Sequence, residues 1–125
     1  MHPNKRDSEI VVELAQTCAG FMLERFPGWS RAFFRYYVDE LQDSASASFE
    51  RAGEVTILSA MKEGAFYERM TASARELREG GVSFTVLLLT MNSNLDYRVD
   101  YEQLNPDRWK ISKLNGATGI PMGLD

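Results

Sequence analysis

A chain of 125 residues, 44% hydrophobic and 26% charged, suits one globular domain that buries its core without disulfides or metal. Its formal charge of −4 argues against a nucleic-acid binder, which needs a basic stripe to displace counterions from phosphates. A lone cysteine, Cys18, rules out an intrachain disulfide and points to a reducing compartment, and no run approaches the roughly 18 apolar residues of a membrane span.

The opening residues through Asp7 are charged, but Glu9, Glu13 and Gln16 interrupt the next stretch, unlike a signal peptide. The expectation is a cytoplasmic protein that does not associate with membranes. Asp7 or Ser8 is placed to cap a first helix reaching about Phe26, with Glu9 near its positive end. Val11, Leu14, Cys18, Phe21, Met22 and Arg25 recur at helical spacing along it. Pro27-Gly28 stops this helix. Beyond Trp29, Ala32, Phe34, Tyr36 and Val38 alternate with Phe33, Arg35, Tyr37 and Asp39, a strand with aromatics on both sides.

Residues 39–43 form an acidic turn. A small-residue strand comes after it, with Ala45, Ala47 and Phe49 against Ser44, Ser46, Ser48 and Glu50. Arg51-Ala52-Gly53 leads into a third strand, Glu54 to Leu58. From about Met61 to Glu79, Phe66, Met70, Ala74 and Leu77 share one helical stripe, and Gly80-Gly81 ends it. Next comes the most apolar run of the chain, Val82 to Met91, which suits a strand buried on both faces. Asn92-Ser93-Asn94 supplies turn chemistry. In the return strand, Leu95, Tyr97, Val99 and Tyr101 should point inward and Asp96, Arg98, Asp100 and Glu102 to water. Asn105-Pro106-Asp107 reads as the start of a short last helix closed by Asn115-Gly116.

The order helix, three strands, helix, two strands, helix indicates a single α+β domain over 1–125. Its sheet should be mainly antiparallel with helices on one face, and 1–6 and 117–125 should be flexible ends.

The residue types offer little catalysis. Cys18 lies on an apolar stripe, and the one histidine, His2, sits near the terminus, so neither a metal site nor a His-assisted nucleophile is expected. No cofactor motif is present: Pro121-Met122-Gly123 lacks the strand and the Lys-Ser/Thr helix of a phosphate loop. Asp96 and Asp100 would stand about 13 Å apart along a strand, too far to flank one glycosidic bond. The protein therefore reads as a binder rather than an enzyme. The alternative is a small carboxylate-using enzyme or a ligand-binding α+β domain. Negative charge gathers in two patches: Asp39 to Glu54, with Asp39, Glu40, Asp43, Glu50 and Glu54 against Arg51, and Leu95 to Asp107, with Asp96, Asp100, Glu102 and Asp107 against Arg98. Such patches steer a basic partner. The plainer reading of the second is a solvated sheet edge that discourages aggregation.

Gly28-Trp29 opening an aromatic strand, two short strands, a helix ending in glycine, then Phe84-Thr85-Val86, Leu95-Asp96-Tyr97-Arg98-Val99-Asp100-Tyr101 and Trp109 together resemble the YezG-like immunity proteins of bacterial polymorphic toxin systems. The resemblance spans about Trp29 to Leu114; the Ala/Ser second strand and the segment from Ala117 depart from the family pattern. It implies an antitoxin that neutralises a cognate toxin, commonly a nuclease, by stoichiometric binding. Its partner would be a basic toxin domain facing Asp96, Arg98, Asp100, Glu102, Asp39, Glu40 and Asp43. The oligomeric state is left open.

Overall fold

The apolar run after Gly80-Gly81 becomes an interior strand of a five-stranded antiparallel sheet. The computed structural model describes residues 6–124; His2 and, apart from Arg6, the start expected to be flexible over 1–6 lie outside them. In chain order the elements are α1 (Asp7–Arg25), β1 (Trp29–Val38), β2 (Asp43–Arg51), β3 (Glu54–Ile57), α2 (Gly64–Glu79), β4 (Val86–Asn92), β5 (Tyr97–Glu102) and a short 3-10 turn (Leu114–Gly116). Across the sheet the strands run β3-β2-β1-β4-β5, every neighbour antiparallel. The α+β architecture matches the sequence expectation. Val82 to Thr85 do not join the strand, which starts at Val86.

Period two sorts the side chains onto two faces. Ala32, Phe34 and Tyr36 of β1 and Leu87, Leu89 and Met91 of β4 meet both helices. From α1 come Ile10, Leu14, Cys18 and Met22; from α2 come Phe66, Met70, Ala74 and Leu77. Arg25, at the end of the α1 stripe, is exposed and reaches across to the start of α2, its Nε donating to Glu63 Oε1 at 3.1 Å. Cys18 is buried, as its place on that stripe requires.

Val86 and Leu88 point to the opposite face, away from α1 and α2. They are covered instead by Trp109 and Tyr37. Here the structure corrects the expectation of a last helix. The predicted start does form: Asn105 Oδ1 accepts from Asp107 N at 2.9 Å, and its carbonyl accepts from Arg108 N at 3.3 Å. Trp109 then takes φ 60, a left-handed conformation costly for a bulky residue, so residues 106–109 remain a single turn, and the only helical structure beyond it is the 3-10 turn Leu114–Gly116 among the described residues. Dropping the indole onto Val86 and Leu88 compensates for that strain.

The chain continues across this face toward β3. Ser48 Oγ donates to Gly119 O at 2.7 Å, Gly119 N to Ser112 O at 2.9 Å and Met122 N to Lys110 O at 3.0 Å. Gly119, at φ 93, lies so close to the sheet that a Cβ would come within 2.9 Å of Val55 Cγ1. Within the stretch 117–124, expected to be flexible, Gly119 is thus held on the sheet, while 122–124 are exposed. A serine-faced strand explains the route, since hydroxyls on β2 can satisfy carbonyls of an irregular segment where apolar side chains could not.

Leu88 carries no exposed surface between two packed layers, so Leu88→Ala should cost roughly 2–5 kcal/mol in a denaturant titration. Trp109→Ala should cost about 3–5 kcal/mol, because it opens the second face of the sheet to solvent. A change under about 0.5 kcal/mol in either would refute the two-layer burial.

Candidate functional site

The turn between β1 and β2 is built by two tyrosines that leave β1 on opposite faces. Tyr37 OH donates to Asp39 Oδ2 at 2.7 Å, and Tyr36 OH donates to Asp43 Oδ2 at 2.6 Å. Asp39 Oδ1 also accepts from Leu41 N and Gln42 N, each at 2.8 Å, and Asp39 N donates to Gln42 O at 2.9 Å. Asp43 is clamped further by α2: Arg75 Nε donates to its Oδ2 at 2.6 Å and Nη2 to its Oδ1 at 3.1 Å.

These bonds fix the charge state of the turn. The Tyr37 hydroxyl, followed by the Leu41 and Gln42 amides, holds the Asp39 carboxyl below the usual carboxylate range. Arg75, followed by Tyr36, does the same for Asp43. Burial, followed by the hydrogen bond to Asp43, pushes Tyr36 up to about 12. Both aspartates therefore remain anionic at neutral pH, and Tyr36 stays a neutral donor.

Between them, Glu40 projects without a salt-bridge partner among the described residues. Leu41 at the tip is 94% exposed. Beside the turn an open cleft of about 620 Å³ is lined by Tyr36, Val38, Leu41, Asp43, Arg75 and Arg78. Asp43 stands in that cleft, and its bonds to Arg75 and Tyr36 leave it a structural anchor.

The ladder expected on the last strand is arranged differently. Leu95 is not in the strand: it has φ 71, belongs to the turn and is 61% exposed, so it does not point inward. Tyr97 is on the helix side but 41% exposed; Val99 and Tyr101 pack against the core as expected. Asp96 also precedes β5, its Oδ2 accepting from Asn92 Nδ2 at 3.3 Å. Arg98 and Asp100 pair with each other, Nη2 to Oδ1 at 2.8 Å. Glu102 accepts from Leu104 N at 3.0 Å, Asn105 N at 3.2 Å and Arg108 Nη1 at 2.7 Å.

One end of the sheet gathers much of the charge. Val38 N donates to Thr85 O at 3.0 Å and Thr85 N to Glu102 O at 2.7 Å, so the acidic turn and the end of β5 lie along the same rim. Asp39, Glu40, Asp43 and Glu102 stand on it, while Asp96 lies at the far end of β5. Arg35, also on the sheet's second face, is buried. It donates through Nε to Arg108 O at 2.8 Å and through Nη2 to Pro106 O at 2.6 Å. Tyr36, Tyr37, Arg75 and Arg35 are not singled out by sequence as parts of this site. Adjacent tyrosines ending a strand just before an acidic turn are the signal that could have found the first two.

Among the described residues, no group of histidine, cysteine and carboxylate side chains could hold a metal ion, and no helix is long and apolar enough to cross a membrane. In comparisons with known proteins, no family model and no curated sequence matches the chain.

The Glu102 carboxyl is held down from its ordinary 4.5 to about 2, chiefly by the Leu104 amide and then by Arg108 and the Asn105 amide. A depressed carboxyl stabilises the fold above its unfolded pKa and loses that contribution as pH falls through its folded value. Stability measured by thermal melts should therefore fall between about pH 4.5 and 2, and Glu102→Gln should flatten that stretch. Cys18, its pKa pushed up to about 12 by burial, should resist thiol reagents in the native state and react on unfolding. Rapid native labelling would refute its placement.

Proposed function

We infer that this protein is an immunity factor, acting in the cytoplasm, that neutralises a toxin of the nuclease type by binding it stoichiometrically and not by catalysis. The observation that carries this reading is the β1–β2 turn. An exposed leucine stands between carboxylates on a loop made rigid by its own side chains. Interface hot spots are commonly apolar or aromatic anchors, and a preorganised anchor loses little entropy when it docks. Flanking negative charge speeds encounter with a basic surface and selects its orientation. Nuclease toxins present Lys and Arg to phosphates, so a carboxylate rim can occupy that surface in place of nucleic acid. The resemblance to YezG-like immunity proteins supports the same reading.

Of the seven carboxylate and arginine positions expected to dock a partner, Glu40 is the one with no side-chain bond to hold it back among the described residues, and Asp39 keeps its charge without an opposing cation. Asp43, Asp100 and Glu102 share theirs with Arg75, Arg98 and Arg108. Docking is therefore centred on Asp39, Glu40 and Leu41, with the paired carboxylates extending the negative field along the rim.

The test is co-expression with the product of the neighbouring gene, which this reading expects to be a toxin, followed by a binding titration. Glu40→Lys combined with Leu41→Ala leaves the hydrogen bonds of Asp39 in place and should weaken the complex by at least roughly tenfold, about 1.4 kcal/mol. Association should also slow as salt rises. A folded double variant with unchanged affinity removes this turn as the docking site. Absence of any complex, with no protection of cells from the toxin, removes the immunity reading itself.

A further inference from the structure

The sheet ends on one side in β3, four residues long and backed by the chain around Gly119. The other side ends in β5, six residues from Tyr97 to Glu102, and no backbone hydrogen bond reaches its outer side among the described residues. Antiparallel pairs alternate between hydrogen-bonded and non-bonded, so the groups left facing outward can be identified. Ser93 N bonds Ser30 O in register with the β1–β4 pairs, so odd-numbered residues of β4 turn their backbone groups to β1, while Thr85, just before the strand, splits its groups between Val38 N and Glu102 O. Even-numbered ones must then turn to β5, and Asn92 N donating to Asp96 O at 3.0 Å agrees. Their partners are Arg98, Asp100 and Glu102. The N–H and C=O groups of Tyr97, Val99 and Tyr101 therefore face out.

We propose that this edge pairs with the β5 edge of a second copy of the chain, antiparallel about a two-fold axis through Val99, joining two five-stranded sheets into one. In that register Val99 faces the partner's Val99 and Tyr97 faces the partner's Tyr101, all as hydrogen-bonded pairs, so every outward N–H and C=O of the three residues is satisfied. On the helix side the half-exposed Tyr97 gains a cross-strand aromatic neighbour. On the other face Arg98 lies opposite the partner's Asp100, and Asp100 opposite the partner's Arg98. These are non-bonded pairs, whose side chains approach most closely, with Cα atoms about 4.5 Å apart. The intrastrand Arg98–Asp100 pair thereby becomes a four-charge network of alternating sign.

Charge selects this register over its neighbours. Sliding by two residues one way centres the axis on Asp100 and sets the two Asp100 side chains against each other. Sliding the other way opposes the two Arg98 side chains. Like charges directly opposite are destabilising. In the favoured register Asp96 comes level with the partner's Glu102, but Glu102 is already answered by Arg108, and Asp96 lies beyond the strand in the turn. Charges of alternating sign thus block most edge-to-edge pairings while admitting one, which reconciles this surface with protection against aggregation.

The experiment needs no toxin, so its result is independent of the immunity reading. Analytical ultracentrifugation across a concentration series should show wild-type protein moving to twice the 14.2 kDa chain mass. Arg98→Asp alone and Asp100→Arg alone should each be monomeric, since each opposes like charges across the axis. Mixed together they should form a dimer, and the mixture should lose it when both chains also carry Val99→Pro. That proline removes an outward N–H and leaves the β4 ladder intact, which circular dichroism will check. Wild-type protein that stays monomeric up to the highest soluble concentration overturns the proposal. So does a dimer that survives the single reversals, or single variants that fail to pair when mixed.

Discussion

A strand buried on both faces needs a cover on each, and that requirement organises this protein. Val86, Leu87, Leu88 and Leu89 have no exposed surface, and β1 beside them buries Phe33, Phe34 and Tyr36 almost as fully. Two amphipathic helices meet the need on one side. The other side receives irregular chain, which brings unpaired backbone groups with it. Such a segment can lie on a sheet only if those groups find partners there.

Arg35 and Ser48 are those partners. The arginine sits in mid-sheet, mostly removed from water, and spends its donors on the carbonyls of Pro106 and Arg108. Burying a guanidinium is costly, and bonds of this charge-assisted kind offset the cost. They also fix where the chain crosses, so Trp109 lands over Val86 and Leu88. Ser48 repeats the device one strand further on, at Gly119. The alternation of apolar and hydroxylated residues on β2 is in this light a division of labour between a face that packs on helices and a face that receives backbone.

The same β1 strand carries the functional rim. Tyr36 and Tyr37, one on each face, tie the two ends of the acidic turn to the sheet. Rigidity of the core is thereby passed to Leu41 and Glu40, whose side chains make no bonds of their own among the described residues. The edge of β5 shows the converse. Its backbone is ordered by β4 on one side and open on the other, with charges of opposite sign, Arg98 and Asp100, on either side of Val99.

Much of the fold was legible in order and spacing. The bounds of α1, β1 and β2 come from where apolar period and stop residues agree, and the apolar stripe of α2 and the double-faced burial of β4 come from composition alone. Local signals misled where a distant contact outweighed them. Asn105-Pro106-Asp107 does open a helical turn, yet the hydrophobic gain of seating Trp109 on β4 outweighs the propensity to continue it. Leu95 looked inward because alternation was extended one turn too far; Asn92 Oδ1, accepting from Asn94 N and Asp96 N, delays the strand past it. The seven candidate docking residues were visible as charge, but whether each charge was free or already answered was not. Arg75 and Arg108 lie 32 and 6 residues from the carboxylates they neutralise, and only folding brings such pairs within hydrogen-bond reach.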